Sequence, residues 1–388
     1  MRIRSMSATR RDPVRAVELV AGIFADDLHA LRVLSLANGA VGVLRAATLS
    51  VHAIGRGYAQ ASGGHDKHGV KQVDRLLSNS GLDVWSLFEP WVRFVVGERT
   101  ELVVALDWTE FDADDHATLA AHLITNHGRA TPLLWLTVPK TTLAGQRNDH
   151  EYRVIERLHG CVAPNVRITL LADRGFGDQK LYRFLDTLGW DYVIRFRGNI
   201  VVTDAHGAAR AATEWLPPTG RATMLRDACV TDDRAQVAAV VVVHDKKMKE
   251  SWCLATSRRS DTARAIVKLY GRRFTIEETF RDTKNLRFGL GLSATHIRSA
   301  ARRDRLLLLA AISHALLTLL GAAGEAAGLD RTLKSNTSAK RTLSLFNQGC
   351  QWYAKIPNMP DDRLATLMEA FDVVVRDHAF FRKIFGII

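Results

Sequence analysis

The stretch ELVVALDWTEF, residues 101–111, begins with a short and almost continuous apolar run that ends in Asp107. Short apolar runs rich in Val and Leu are typical of buried β-strands. A second run of this kind, VRITLLADRGFGD at residues 166–178, ends its apolar part at Asp173. The two runs therefore predict two buried strands, each with a carboxylate just past its end.

The segments around these runs complete an α/β pattern. Two more predicted strands, ATLAAHLITNHG and RATPLLWLTVP, follow the first run, and the helix RNDHEYRVIERLHGCV precedes the second. A helix over 179–188 and the strand DYVIRFRG follow. The order is βββ-α-β-α-β, which is the order of a ribonuclease H-like fold. We predict such a core with a mixed five-stranded sheet, a β-rich insertion, and helical regions on both sides.

Changes in sequence texture predict five regions. They are a helical domain (1–98), the first part of the ribonuclease H-like core (99–198), a β-rich insertion (199–257), the second part of the core (258–300) and a helical C-terminal region (301–388). The helical domain is the candidate for DNA binding, and the core is the candidate for catalysis. In the first region KHGVKQVDRLLSN has helical spacing, with a basic face formed by Lys67, Lys71 and Arg75. A nucleic-acid-binding helix and an ordinary solvated basic helix explain this face equally well.

The segment YGRRFTIEETFRDTK, residues 270–284, has the spacing Y-x2-R-x3-E-x6-K. On a single α-helix its four marked residues fall within an arc of roughly 60° and form a column about 21 Å long. The column consists of Tyr270, Arg273, Glu277 and Lys284. Cations bind phosphates and a carboxylate binds a divalent metal, so this pattern suits a helix that lies along a nucleic-acid backbone.

Three acids are candidates for one metal centre. If the strands that end in Asp107 and Asp173 are adjacent and parallel, their carboxylates lie side by side, and Glu277 can complete the cluster. Such oxygen ligands suit Mg²⁺ or Mn²⁺, and two ions about 4 Å apart can act on a phosphodiester. An aspartate at a strand end is also often a turn residue or a helix cap. The nearby acids of FDADDH are better explained by a polar hairpin turn.

The charge balance favours a polyanionic partner. The chain has 53 Lys and Arg against 41 Asp and Glu, a formal charge of +12. The charge does not choose between DNA, RNA and anionic lipid. Four scattered cysteines predict reduced thiols in a cytosolic protein. The apolar run 306–320 is too short for a bilayer and predicts a buried core helix, so we expect no membrane association.

Three blocks, ALDWTEF, LLADRGFGD and YGRRFTIEETFRDTK, resemble the catalytic blocks of DDE transposases from bacterial insertion sequences, and most closely those of the IS-four family. The resemblance implies that Asp107 bridges two Mg²⁺ or Mn²⁺ ions, while Asp173 and Glu277 each complete one site. It implies that Tyr270, Arg273 and Lys284 hold the DNA backbone near the cleaved end.

The same resemblance implies what the whole protein acts on. The partners would be double-stranded DNA with terminal inverted repeats, the target DNA, and a second copy of the chain when two ends are assembled. The reaction would be cut-and-paste transposition through hairpin ends, in the bacterial cytoplasm at the nucleoid.

Further basic residues are candidates for a DNA track. Arg195 and Arg197 share one face of a predicted strand. Residues 278–305 contain six arginines, namely Arg281, Arg287, Arg298, Arg302, Arg303 and Arg305. An ordinary solvated surface explains about half of these residues equally well.

Two other functions remain open at this point. One is a transposase-derived DNA-binding protein without catalysis, which an assay of Mg²⁺-dependent strand cleavage would distinguish. The other is a glycosidase with a pair of carboxylates. A steep loss of substrate binding with rising salt would favour nucleic acid over sugar.

Overall fold

The computed structural model describes residues 8–376 except residues 232, 247, 288 and 336, with side chains from residue 15 onward. Predictions for residues 1–7 and 377–388 lie outside the described residues. The helices are α1 (Ala8–Phe24), α2 (Ala30–Ala46), α3 (Val51–Ser62), α4 (Asp66–Ser78), α5 (Val84–Val96), α6 (Arg147–Cys161), α7 (Gln179–Thr187), α8 (Ala263–Gly271), α9 (Thr275–Lys284), α10 (Ala300–Ala326), α11 (Leu345–Lys355) and α12 (Asp361–Arg376). The strands are β1 (Glu101–Phe111), β2 (His116–Leu123), β3 (Thr131–Pro139), β4 (Arg167–Ala172), β5 (Asp191–Phe196), β6 (Val201–Thr203), β7 (Ala209–Ala211), β8 (Thr223–Val230), β9 (Ala235–Val243) and β10 (Trp252–Thr256).

The strands of the described residues form one mixed sheet in the order β3-β2-β1-β4-β5-β10-β9-β8-β6-β7. β4 runs parallel to both of its neighbours, β1 and β5, whereas β2 and β3 continue the sheet beyond β1 in antiparallel pairs. The first five strands thus have the order expected of a ribonuclease H-like core. The predicted α/β class is confirmed, although the whole sheet has ten strands instead of five.

The five-strand prediction was wrong because residues 199–257, which are β-rich as predicted, extend the central sheet. β10 pairs antiparallel with β5 from Cys253↔Phe196 to Thr256↔Val193, and β9 and β8 continue the ladder. A sheet that ended at β5 would leave that edge with unpaired backbone N–H and C=O groups. Pairing with β10 satisfies this edge. Sequence patterns reveal strands but do not reveal which edge each strand joins.

Both faces of the central sheet are buried, because alternate side chains of a strand point to opposite sides. Leu102, Val104 and Leu106 of β1 belong to the large core that the sheet shares with the N-terminal and C-terminal helices. Val103 and Ala105 belong to a smaller core on the other face, where they meet side chains of α8 and α9. The segment with the Y-x2-R-x3-E-x6-K spacing therefore covers this second face.

α10 is the long apolar helix at the centre of the molecule. Its length and composition suffice to cross a membrane, but 94% of its apolar window is buried inside the protein. The bent pair of α2 and α3 meets the same criterion only if the two helices count as one span. The burial of α10 agrees with the predicted core helix. The large core runs from α1 to α12 without a break, and the five predicted regions remain predictions.

Candidate active site

Asp107 and Asp173 come directly after the last pair of residues that joins the parallel strands β1 and β4. The last parallel pair of β1 and β4 joins Leu106 to Ala172, and each aspartate is the next residue in its chain. β1 itself continues to Phe111, because β2 pairs with it along this whole stretch. The prediction that Asp107 lies past the end of its strand was therefore wrong. Both carboxylates nevertheless lie at the same end of the β1–β4 pairing.

The segment that carries Glu277 is not the single helix that the spacing suggested. α8 ends at Gly271, a 3-10 turn spans Arg272–Phe274, and α9 begins at Thr275. Glu277 lies in the first turn of α9. The arc of roughly 60° was calculated for one continuous α-helix and therefore does not apply across the turn. Contacts within the segment decide which side chains meet.

Arg273 joins two of the three candidate acids. Its Nη1 donates to Oδ2 of Asp107 at 3.0 Å, and its Nη2 donates to Oε1 of Glu277 at 2.5 Å. The Arg273 side chain is only 6% exposed, whereas that of Glu277 is 50% exposed. The guanidinium is thus a buried counter-ion that brings the helix acid to the strand acid.

The surroundings of Asp107 oppose its ionisation. Burial raises the pKa of Asp107 to about 6, the ion pair with Arg273 works against this rise, and the nearby carboxylates Asp173 and Glu277 add to it. Like charges at close range disfavour a second and third negative charge. A cation that neutralised the cluster would therefore be bound favourably by these acids.

The other two residues of the Y-x2-R-x3-E-x6-K segment are held by contacts within the protein. Tyr270 is 1% exposed and packs edge-on against Trp252, with ring centroids 5.0 Å apart. Lys284 donates through Nζ to Oγ1 of Thr109 at 2.9 Å and to the carbonyl of Glu110 at 2.7 Å. Burial lowers the pKa of Lys284. Its ammonium is thus fixed to β1, beyond Asp107 on the same strand.

A cleft of about 580 Å³ opens beside these residues. Both strand and helix residues of the site line it, and its walls also carry cations and apolar side chains. The lining comprises Asp107, Trp108, Thr109, Glu277, Phe280, Arg281, Lys284, Asn285, Leu286 and Ser293. Such a groove, lined by the cations Arg281 and Lys284 next to the acids, suits an anionic substrate.

Glu151 is a functional candidate that the sequence interpretation missed. It lies on α6, is 4% exposed, and accepts a hydrogen bond of 2.8 Å from the indole of Trp108, the neighbour of Asp107. Burial raises the pKa of Glu151 to about 7. The helical spacing of the sequence could have revealed it, because Glu151 shares the buried face of α6 with Val154, Ile155 and Leu158.

The other predicted DNA-binding residues lie on two different elements. Arg195 is in β5, with 18% of its side chain exposed, and Arg197 follows that strand and is exposed. Lys67, Lys71 and Arg75 are exposed on α4, in the helical N-terminal region. The structure therefore brings Arg195 close to the acids and places the α4 cations in another part of the fold.

The comparisons with known proteins agree with this geometry. The chain matches the family described as Transposase DDE domain over residues 98–316, more than half of its 388 residues. The chain therefore belongs to this family of transposases, whose function is DNA recombination by transposition. The matched range includes Asp107, Asp173 and Glu277. A search of curated proteins finds no match.

Proposed function

We propose that this transposase is that of a bacterial insertion sequence of the IS-four family. It binds terminal inverted repeats, cleaves the phosphodiesters at the element's ends, and joins these ends to target DNA. One observation carries the assignment of the site: Asp107 and Asp173 follow the last pair of two parallel strands, and Arg273 ties Glu277 to Asp107.

The three acids offer the hard oxygen ligands that Mg²⁺ and Mn²⁺ prefer. As the side chains lie, no group of three or more His, Cys, Asp or Glu among the described residues is arranged to hold an ion. Arg273 accounts for this, since its guanidinium lies between two of the acids. Asp107, Asp173 and Glu277 would together hold two such ions. The ions would activate the attacking oxygen and stabilise the leaving oxygen.

The chain's own cations have separate tasks in this proposal. Arg273 keeps Asp107 and Glu277 together as a counter-ion, and a bound divalent cation would compete with it for their carboxylate oxygens. Lys284, fixed to β1 beside the cleft, offers a point charge to a DNA phosphate. Tyr270 packs below Arg273, with the guanidinium carbon 5.9 Å from its ring centre. We assign Tyr270, Arg273 and Lys284 to the DNA backbone near the cleaved end. Tyr270 and Arg273 are 1% and 5% exposed, so they reach a phosphate only once the ion pairs of Arg273 open.

Recognition of the element's ends is assigned to the helical N-terminal region. The exposed cations of α4 can contact phosphates along a duplex, which gives affinity that falls with salt. Two ends brought together require two copies of the chain, so the working assembly is a homodimer on DNA. Hairpin ends, the bacterial cytoplasm and the nucleoid belong to the same proposal.

Alanine substitutions test the assignment of the acids. Asp107→Ala, Asp173→Ala and Glu277→Ala should each abolish cleavage of a duplex that carries the inverted repeat flanking the coding region. DNA binding by the same variants, measured by fluorescence anisotropy, should stay within about threefold of wild type, because phosphate contacts supply most of the affinity. Wild-type cleavage by any of the three variants would refute the triad.

Asp112→Ala is the matched control. Asp112 is an exposed aspartate of the β1–β2 turn, where it pairs with Lys140 at 2.6 Å. The substitution removes a carboxylate on the same hairpin but outside the cleft, so cleavage should remain. Loss of cleavage in this variant would show that the assay does not distinguish the candidate acids from other carboxylates of the hairpin.

A catalytically silent DNA-binding protein is the second candidate. The buried ion pairs of Arg273 favour it, because they occupy two of the three acids. Mg²⁺-dependent strand cleavage by the wild-type chain would exclude this candidate. DNA binding without cleavage at any Mg²⁺ or Mn²⁺ concentration would support it.

A further inference from the structure

Two arginines beside Asp173 share one carboxylate oxygen. Arg195 donates through Nη2 to Oε2 of Glu250 at 2.7 Å, and Arg174 donates through Nη1 to the same oxygen at 3.0 Å. Glu250 lies on the turn between β9 and β10, which follows Arg195 by more than fifty residues. One exposed acid thus neutralises two cations from different parts of the chain.

The fold holds the two arginines in place next to the candidate active site. The last parallel pair of β4 and β5 joins Ala172 to Ile194, so Asp173 and Arg195 follow as neighbours. The turn after Asp173 packs against β5 so closely that a Cβ on Gly177 would lie 3.0 Å from Cβ of Phe196. Arg174 is therefore carried to the same end of β5.

Arg195 is held by the fold, whereas Glu250 is loosely held. The Arg195 side chain is 18% exposed, while those of Arg174 and Glu250 are 55% and 56% exposed. Exposed ion pairs contribute little to stability, about 0–1 kcal/mol. The Glu250 carboxylate can therefore leave at small cost while Arg195 stays in position.

The site has more positive charge and more donors than Glu250 satisfies. Nε of Arg195 is buried and has no hydrogen-bond partner among the described residues. The same β9–β10 turn exposes Lys246 and Lys249. An anion with several oxygens and more than one negative charge would match these groups better than one carboxylate, and arginine binds phosphate in a bidentate manner.

We infer that Arg174 and Arg195 form a binding site for a phosphate of the DNA backbone next to Asp173, and that Glu250 occupies this site in the free protein. The inference rests on the proposed function, since it requires DNA at the cleft. Glu250 lowers the affinity for DNA until a phosphate displaces it.

Glu250→Gln tests this inference against a matched control, Glu101→Gln. Glu101 is likewise exposed and paired with one arginine, Arg167, but it lies at the opposite end of β1. Both variants remove one negative charge. Affinity for a short duplex of arbitrary sequence should rise about 3–10-fold in Glu250→Gln, and the salt dependence should become steeper by about one to two phosphate contacts. Glu101→Gln should change the affinity less than about twofold, because distant surface charges are screened.

The double variant Arg195→Gln/Glu250→Gln completes the experiment. The double variant should not bind DNA more tightly than the wild-type chain, because the site that Glu250 leaves no longer contains the Arg195 guanidinium. Equal affinities of Glu250→Gln and Glu101→Gln would overturn the inference, and so would a gain that persists in the double variant. If the wild-type chain shows no salt-dependent binding to duplex DNA, the proposed function itself fails.

Discussion

Arg303 is wholly buried, with 0% of its side chain exposed. It pairs with Asp114 of the β1–β2 turn, donates through Nε to Nδ1 of His116 at 3.1 Å, and lies 4.0 Å from the centre of the Phe111 ring. The hypothesis that Arg303 extends a DNA track was therefore wrong. In sequence it is one of several arginines in a row, and only the packing of α10 against the β1–β2 turn reveals its structural role.

Arg302 and Arg305, on the same helix, are also engaged within the protein. Arg302 pairs with Asp74 of α4 at 2.6 Å. Arg305 donates to the backbone carbonyls of Leu77 and Leu82, at 3.0 and 2.8 Å. These two arginines fasten α10 to the end of α4 and the loop after it, and so hold the helical N-terminal region against the catalytic core.

Arg303→Ala should destabilise the fold by about 3–5 kcal/mol, because it leaves the buried carboxylate of Asp114 without its counter-ion. Urea denaturation followed by circular dichroism measures this loss. Arg298→Ala, which removes an exposed arginine shortly before α10, should change stability by less than about 0.5 kcal/mol. Equal stabilities of the two variants would contradict the assigned role of Arg303.

At the scale of elements, the contact of α3 with α4 depends on glycine. A Cβ added to Gly69 of α4 would lie 2.1 Å from the carbonyl oxygen of Gly55 of α3, and a Cβ on Gly55 would lie 2.4 Å from Cα of Val70. The two backbones therefore approach closely, which fixes α4 and the direction of its exposed basic face. The sequence shows the amphipathic pattern of α4 but not this close contact.

Gly69→Ala should destabilise the protein by about 1–3 kcal/mol, since backbone atoms must move to make room for the methyl group. Gly160→Ala provides the control, because a Cβ at this position of α6 would meet nothing within 4 Å. That variant should be neutral or gain up to about 1 kcal/mol from helix propensity. Thermal and urea unfolding decide the matter, and an unchanged stability of Gly69→Ala would disprove the close crossing.

At the scale of the whole molecule, three buried histidines from distant positions lie close together. His122 is in β2, His127 is in the following loop, and His314 is in α10; each is at most 5% exposed. The pKa of each is lowered to about 3, chiefly by burial; the nearby His314 ring adds to this for His122 and His127, and Arg129 adds to it for His314. His314 stacks on Phe346 of α11, with ring centroids 4.5 Å apart. The three histidines thus join the sheet to the C-terminal helices in their neutral form.

This cluster predicts a loss of stability in mild acid. A histidine whose pKa is lower in the folded state contributes its full stabilisation above its pKa in the unfolded chain, about 6.5. This stabilisation is lost as the pH drops toward its pKa in the folded state. The slope for each residue is about 1.4 kcal/mol per pH unit in that window. Burial raises the pKa of the acids Asp107, Glu151 and Asp304, which gain stability as the pH falls over the same window. The contribution of the histidines is therefore the difference in pH slope between the wild-type chain and a histidine variant, measured by urea denaturation between about pH 7 and about pH 5.

Substitution of one member separates the cluster from general acid effects. His314→Leu should reduce the pH slope by about one proton, whatever its effect on absolute stability. His52→Gln, at an exposed position of α3, should leave the slope unchanged. Equal pH slopes in His314→Leu and the wild-type chain would rule out the neutral buried cluster.

The sequence by itself determined the local features: the apolar runs of β1 and β4, the helical patterns, and the signature of α8 and α9 that implied a DDE transposase. These signals depend on residues close together in the chain, where periodicity and spacing are sufficient. Tertiary structure alone decided the ten-stranded sheet, the break at Arg272–Phe274, and the burial of Arg273 and Arg303. It also decided that Glu250 pairs with Arg174 and Arg195. Each of these depends on contacts between distant segments, and the local pattern of a strand or an arginine is the same whichever partner it meets.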